Sequence, residues 1–223
     1  MIISYLQLLE EKYAEHLDDK ALQFMHFAVD GAHRMRVLIK DLLTLSQIGG
    51  NDKTPNPVDC RDAIQDAILN LDKAIEESHA QIEVEAMPSI VADRTQLTQL
   101  FQNLIANSIK FRSEKPLVIH ISADQEGDSW HFLVQDNGIG IDPQYQERVF
   151  VIFQRLHGKL DYSGTGIGLA LCKKIVERRG GKIWLESKAG LGATVHVVLP
   201  EDPEATQHVL GTPRPTDSIV RLP

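Results

Sequence analysis

The sequence predicts an α+β protein in two parts, a helical hairpin followed by one mixed sheet with helices packed on one face. Residues 1–48 contain no proline and a single internal glycine, which favours long helices. Beyond residue 60, helical and strand-like patterns alternate, and the strands pair as hairpins. A hydrophobic share of 43% over 223 residues is sufficient for a core.

The hairpin is predicted from two apolar stripes that flank a polar break at residues 14–20. Each stripe recurs at steps of three and four residues, as on a helix face. Two helices cannot bury such stripes alone, so we expect a homodimer that forms a four-helix bundle, with packing onto the rest of the same chain as the alternative. The stripes are Ile2, Leu6, Leu9 and Tyr13, then Ala21, Phe24, Ala28, Gly31, Met35, Leu38, Leu42 and Leu45.

A linker is predicted after the hairpin, because residues 49–59 read GGNDKTPNPVD, which is rich in Gly, Pro and polar residues. The expected domains are therefore a hairpin over 1–50, a linker over 51–59 and a second domain over 60–200. Residues 201–223 carry four prolines and little periodicity, and are expected to form a flexible tail.

Within 60–200, apolar periodicity predicts three helices, and alternation predicts five strands. The helices are expected at 60–78, 94–111 and 168–179, the last ended by two glycines. The strands are QIEVEA, LVIHISADQ, SWHFLVQD, KIWLESK and ATVHVVLP; a tight EGDS turn joins the second and third.

Composition excludes several classes of function. A net charge of −8 argues against nucleic-acid binding or attachment to anionic membranes. The two cysteines, Cys60 and Cys172, lack metal-ligand spacing and are interpreted as free thiols in a reducing compartment. No apolar run reaches the ~18 residues that span a bilayer. The N-terminus does not resemble a signal peptide, so we expect a cytoplasmic protein.

A glycine-rich stretch before the last helix suggests an anion site. Gly164, Gly166 and Gly168 fall within five residues, directly before an apolar-periodic run. Glycine exposes backbone N–H groups, and a helix N-terminus adds unpaired donors with partial positive charge. A plain turn explains the glycines equally well. The spacing matches neither a Walker A loop nor a dinucleotide fingerprint.

Two further clusters carry chemistry. Asn103, Asn107 and Lys110 share one face of a helix, where amide oxygens suit Mg²⁺ and the lysine suits phosphate. These three could be mere surface, but the apolar residues at 100, 101, 104, 105 and 109 imply a largely buried helix, in which amides need partners. Asp136 ends a strand and can accept a hydrogen bond from an exocyclic amine such as adenine N6, while Gly138 and Gly140 let the backbone approach a flat base. The sequence DNGIG would also suit a simple turn. In the segment 147–155, Phe150 and Phe153 are interpreted as core anchors of a lid.

In order and spacing, these clusters resemble the N, G1, F and G2 boxes of sensor histidine kinases. The matching segments are NLIANSIKF, DNGIGI, VFVIFQRLHG, GTGIGLALCKKIVERRGGKIWLES and GLGATVHVVLP. The segment FAVDGAHRMRVLIKDLLTLSQIG resembles the phytochrome-type, PAS-linked branch. The resemblance implies that residues 60–200 form an ATP-binding catalytic domain of the GHKL, or Bergerat, type.

The resemblance also implies residue roles. Asp136 would bind the adenine amine with Thr194 in support, Asn107 and Asn103 would hold Mg²⁺, and Lys110 and Arg155 would neutralise phosphate charge. Backbone N–H groups of the glycine loop would surround the phosphates of ATP. The implied nucleotide-binding set is Asn103, Asn107, Lys110, Phe111, Asp136, Gly138, Gly140, Ile141, Arg155, Gly164, Thr165, Gly166, Gly168, Leu169 and Thr194.

One part of the family pattern is missing: no histidine here stands in an H box that could accept the phosphoryl group. His16, His26 and His33 lack the following acidic residue and proline, and are interpreted as ordinary surface or interface histidines. We therefore expect an N-terminally shortened kinase that binds ATP but does not label itself; the alternative is a core that phosphorylates another chain. The implied partners are a response-regulator receiver domain, a second copy and an upstream sensor domain.

Two other classes remain open. One is a non-catalytic, dimerising nucleotide-binding module. The other is a GHKL-type ATPase, which resembles this chain in fold but carries a glutamate where Asn103 stands. An amide cannot act as that general base, so hydrolysis is disfavoured.

Overall fold

The protein is described by a computed structural model that covers residues 2–13, 17–47, 56–154 and 165–202. The hairpin is present, with helices α1 (Ile2–Tyr13) and α2 (Asp19–Gln47) in contact. α2 begins after Asp18, whose side chain accepts a hydrogen bond from the Ala21 N–H over 2.7 Å and caps the helix. Much of the apolar surface of the hairpin stays exposed in the single chain; Phe24 is 59% exposed.

The second part is a mixed α+β sandwich, as predicted. Its strands are β1 (Asn56–Asp59), β2 (Gln81–Val84), β3 (Ser89–Ala92), β4 (Val118–Glu126), β5 (Ser129–Asp136), β6 (Lys182–Ser187) and β7 (Ala193–Pro200). The five-stranded sheet has the order β2-β4-β5-β7-β6, in which only the β2–β4 pair is parallel. The helices are α3 (Cys60–Asn70), α4 (Asp72–Ser78), α5 (Arg94–Lys110) and α6 (Gly168–Arg178), with short 3-10 helices at Pro143–Tyr145 and Arg148–Phe150.

The core lies between the sheet and its helices. Alternation along β5 buries Phe132 and Val134, while His131 and Leu133 point to the other face. Phe132 meets Phe101 of α5 edge to face, with ring centroids 5.8 Å apart. Because the apolar face of α5 is fully buried against the sheet, its amide-bearing face is directed to one side of the core.

The structure departs from the sequence prediction in two places. Residues 56–59, assigned to the linker, form β1 and pair antiparallel with β3, a strand that the sequence analysis missed. Both strands have only four residues, too few for a clear alternation. The helix predicted at 60–78 divides at Leu71, whose N–H turns back to the Ile68 carbonyl over 3.0 Å. Residues 51–55 and the predicted tail from 203 onward lie outside the described residues.

Among the described residues, no helix is both long and apolar enough to cross a bilayer. Cys60 and Cys172 are both free thiols, as predicted, and both are buried. Burial raises the pKa of the Cys60 thiol to about 12, so the group packs as a small apolar residue.

Candidate functional site

A cavity of about 420 Å³ lies where α5, the end of β5, the N-terminus of α6 and the second half of α2 meet. Its size falls within the usual range for small-molecule sites. Most of the residues predicted from the sequence line it: Asn103, Asn107, Lys110, Phe111, Asp136, Gly140, Ile141, Thr165, Gly166, Gly168 and Leu169. Residues separated by up to 66 positions in the sequence are thus brought together around one cavity.

Asp136 is held in one orientation at the end of β5. Its Oδ1 accepts hydrogen bonds from the Gly138 N–H at 2.9 Å and the Ala193 N–H at 3.2 Å. Its Oδ2 accepts one from the Ser108 hydroxyl at 3.0 Å. Burial raises the pKa of this carboxyl, and the three hydrogen bonds oppose the rise because they stabilise the charged form. One well-oriented acceptor therefore faces the cavity.

The glycines around Asp136 serve backbone packing more than ligand access. A Cβ on Gly138 would come 2.5 Å from the Phe111 carbonyl oxygen, and Gly138 does not line the cavity. Gly140 does line it, but a Cβ there would collide with the Lys188 carbonyl, and its φ is +68°. The prediction that Gly138 faces the ligand is therefore corrected. Gly138 instead lets the loop lie flat against the end of α5.

Thr194 is also displaced from its predicted place. Its neighbours Ala193 and Val195 line the cavity, and Thr194 does not. Successive side chains of a strand point to opposite faces, so Thr194 shares the outer face of β7 with His196. The supporting contacts to Asp136 come instead from Ser108 and the Ala193 N–H, neither of which was singled out from the sequence.

The amides of Asn103 and Asn107 end in the cavity with unmet hydrogen-bonding capacity. Their Nδ2 atoms are buried and have no hydrogen-bond partner. A Cβ on Gly168 would come 3.4 Å from Asn103 Oδ1, so α6 begins directly against this amide. The N-terminus of α6 has no side-chain cap. Unpaired amides beside an uncapped helix start form a polar end of the cavity that can accommodate an anion with its cation.

The other predicted site residues differ in what the structure shows of them. Lys110 lies 4.6 Å above the Phe111 ring, on the same face of α5 as the two amides. Arg155 and Gly164 lie outside the described residues. Phe153, predicted as a core anchor, is 56% exposed with φ +64°, so that prediction is wrong. Its N–H donates to the Gly166 carbonyl over 3.1 Å, so its backbone contacts the glycine-rich stretch.

Helix α2 contributes a wall of the cavity that the sequence analysis did not predict. Val37 and Asp41 line it, and Asp41 Oδ2 accepts a hydrogen bond from the Thr165 hydroxyl over 2.7 Å. Lys174 of α6 donates to the Leu45 carbonyl at the end of α2. The partners in the first contact are 124 residues apart, a separation over which local patterns carry no signal.

The sequence from β3 to the end of β7 matches the family model described as "Histidine kinase-, DNA gyrase B-, and HSP90-like ATPase", over residues 92–203. The match covers half of the chain and contains every cavity residue outside α2. The chain belongs to this ATPase family. Its mixed sheet with helices on one face is the fold expected of a domain of the GHKL type.

Among the relatives of this ATPase domain is the Phytochrome-like protein Cph1 of Synechocystis, 50% identical over 199 residues, which are 89% of this chain and 27% of Cph1. The chain thus spans about a quarter of that relative. The full-length ShkA structure in complex with AMPPNP superposes with a TM-score of 0.67 at 22% identity, covering 89% of this chain and 42% of ShkA. ThkA, solved with the response regulator TrrA, superposes at 0.65 and 21% identity, covering 91% and 58%. The domain is of the histidine-kinase type within the family.

Proposed function

We propose that this chain is the catalytic core of a sensor histidine kinase, which binds Mg-ATP and transfers the γ-phosphoryl group to a histidine. One observation carries the proposal: a fixed carboxylate and two unpaired amides line the same cavity. Asp136 lies at the wall formed by β5 and β7, and Asn103 and Asn107 lie where α6 begins. A ligand with an amine-bearing base and a charged phosphate tail matches both ends.

The adenine end is supported by the hydrogen bonds of Asp136. Three donors already engage its two oxygens, and they fix the remaining lone-pair direction before any ligand binds. The apolar side chains Ile139, Ile141 and Leu185 also line the cavity and suit the faces of a flat ring. Asp136 would accept from the exocyclic amine of adenine.

The phosphate end fits magnesium. The Nδ2 atoms of Asn103 and Asn107 have no protein partner and can donate to phosphate oxygens. The oxygens of the same amides can bind a hard cation when phosphates complete the octahedron. Bound magnesium would neutralise charge on the phosphates during transfer. Lys110, the backbone N–H groups around Gly166 and Gly168, and Arg155 would contact the phosphates themselves.

In the proposed reaction, an imidazole nitrogen of the acceptor attacks the γ-phosphorus, and the bond from that phosphorus to the β–γ bridging oxygen breaks as ADP leaves. None of the described residues that line the cavity is a histidine. In the proposed scheme the acceptor would come from outside this site. The phosphoryl group would pass next to an aspartate of a response regulator; ThkA, of similar fold, was solved with such a partner.

The hairpin supports a homodimer in this scheme. Exposed apolar side chains recur along α2, with Phe24, Phe27, Met35, Leu42 and Leu43 each more than two-fifths exposed. A second copy would bury them in a four-helix bundle and bring two ATP-binding domains to one axis. The alternative function, a dimerising nucleotide-binding module without kinase activity, shares this geometry and differs only in the transfer step.

Labelled ATP tests the proposal. The chain is incubated with γ-labelled ATP and Mg²⁺, alone and with a separately prepared hairpin from a histidine kinase of the same branch that carries the H-box histidine. We expect label on that hairpin only in the mixture, and none on this chain alone. Binding of ATP without label in either sample would favour the non-catalytic module. Rapid phosphate release by the chain alone would favour an ATPase.

A further inference from the structure

Helix α2 places an acidic side chain in the wall of the nucleotide cavity. Asp41 lines the cavity and accepts a hydrogen bond from the Thr165 hydroxyl over 2.7 Å. The neighbouring contact, Lys174 Nζ to the Leu45 carbonyl, ties the end of the same helix to α6. Leu45 also packs against the core of the second domain. The carboxylate is therefore held against Thr165.

Thr165 marks the phosphate end of the cavity under the proposed function. It precedes Gly166 and Gly168, and the latter abuts Asn103. A carboxylate that is hydrogen-bonded to Thr165 thus lies close to where the charge of a bound triphosphate would be concentrated. Like charges that lie close together repel strongly in a partly enclosed site, since the effective dielectric constant is well below that of water.

We propose that Asp41 sets nucleotide affinity. While hydrogen-bonded to Thr165, its carboxylate repels the phosphates of the ligand, so nucleotide binding and the docking of α2 weaken each other. The proposal rests on the proposed function, since it assumes a phosphate-bearing ligand. By linkage, if the docked helix lowers the affinity for the nucleotide, the bound nucleotide must lower the equilibrium constant for docking of the helix by the same factor. Signals that move the hairpin would then change ATP affinity, and ATP would loosen the hairpin.

The opposite role for Asp41 is that of a magnesium ligand. Its Oδ2 already accepts the hydrogen bond of the Thr165 hydroxyl, which fixes the carboxylate against Thr165. The two roles predict opposite effects of removing the charge: tighter nucleotide binding if Asp41 repels the phosphates, and weaker binding if it holds magnesium.

Asp41→Asn in the full 223-residue chain removes the charge and keeps an acceptor for Thr165. Calorimetry with adenosine, Mg-ADP and Mg-AMPPNP measures the effect at increasing phosphate charge. We expect Mg-AMPPNP to bind on the order of tenfold more tightly, Mg-ADP to gain less, and adenosine to be unchanged. Asp30→Asn is the matched control, because Asp30 is exposed on the same helix. It lies eleven positions away, roughly 16 Å along the axis and beyond the screening length, so no affinity should change.

Weaker Mg-AMPPNP binding by Asp41→Asn would overturn the proposal in favour of a magnesium ligand. Equal changes for all three ligands would overturn it as a general effect on the fold. A second readout is amide hydrogen exchange in the part of α2 around Asp41. Saturating Mg-AMPPNP should accelerate exchange there in the wild-type chain, and slower exchange contradicts the coupling. Failure of the wild type to bind any of the three ligands refutes the proposed function itself.

Discussion

Ser108 and Asp136 join α5 to β5 through a hydrogen bond of 3.0 Å from the serine hydroxyl to Asp136 Oδ2. Ser108 is buried and follows Asn107 directly in the sequence. One helix therefore carries the unpaired amide at the phosphate end and the donor that orients the carboxylate at the base end. The distance between the two ends is set by a single rigid element, which suits a ligand of fixed length.

Asp136→Asn should abolish nucleotide binding and leave the fold intact. The asparagine oxygen can still accept from the Gly138 and Ala193 N–H groups, so the loop keeps its contacts. Its NH₂ group would face the ligand amine, donor to donor, and we expect at least about a 100-fold loss of Mg-ADP affinity in calorimetry. Asp124→Asn, which is exposed on the adjacent strand, is the control and should bind normally. Unchanged affinity in Asp136→Asn would refute the adenine contact.

Asn107→Leu should stabilise the chain while removing nucleotide binding. The Nδ2 atom of Asn107 is buried without a partner, and a leucine, which has the same branched shape, relieves that cost by about 1 kcal/mol in urea unfolding. The same change removes an amide proposed to hold magnesium, so Mg-ADP binding should fall below detection.

Gln102→Leu is the matched control for Asn107→Leu. Its amide lies on another face of α5 and accepts a hydrogen bond from Asn70 over 3.2 Å, so the change should neither stabilise the chain nor affect binding. A loss of stability in Asn107→Leu would contradict the assignment, since it would show that the amide is satisfied within the protein.

The sequence was sufficient to predict which residues line the cavity where periodicity or motif order determines their position. The apolar face of α5 predicted the side on which Asn103, Asn107 and Lys110 lie, and the alternation in β5 predicted a strand that ends at Asp136. It failed where the deciding contact is distant or the element is short. Thr194 was assigned by resemblance although strand alternation directs it away from the cavity. Asp41 was missed because its partner, Thr165, is 124 residues away.

Acidic pH should destabilise the sheet through His196. His196 is 9% exposed, and its ring stacks on Trp184. Its Nδ1 lies 3.0 Å from His131 Nε2, and its Nε2 lies 3.7 Å from Glu186 Oε2. Burial lowers the pKa of His196 below its ordinary value of 6.5, Glu186 opposes this, and His131 adds to it. The unfolded chain therefore binds the proton more readily than the folded chain. The contribution of neutral His196 to the free energy of unfolding is present above pH 6.5 and is lost as the pH falls through the folded pKa.

His196→Gln should flatten that pH dependence. As the pH falls from 8 to 5.5, the free energy of unfolding measured in urea should decrease by on the order of 1 kcal/mol more for the wild type than for the variant. His120→Gln is the control, because His120 lies on the same sheet and contacts Glu83 and Glu85 instead. It should leave the wild-type dependence in place. Parallel pH profiles for the wild type and His196→Gln would show that His196 does not titrate in this way.

Two glycines of one loop should respond differently to alanine. Gly190 and Gly192 both have left-handed backbones, with φ of +79° and +87°. A Cβ on Gly190 would meet nothing within 4 Å, whereas one on Gly192 would collide with the backbone carbonyl of Asp136. Gly190→Ala should therefore cost about 1 kcal/mol from the left-handed conformation alone and keep Mg-ADP affinity. Gly192→Ala should be less stable still, by a further 1–3 kcal/mol or so, and bind at least about tenfold more weakly because Asp136 must move. Equal melting temperatures and equal affinities for the two variants would show that the loop does not hold Asp136 in place.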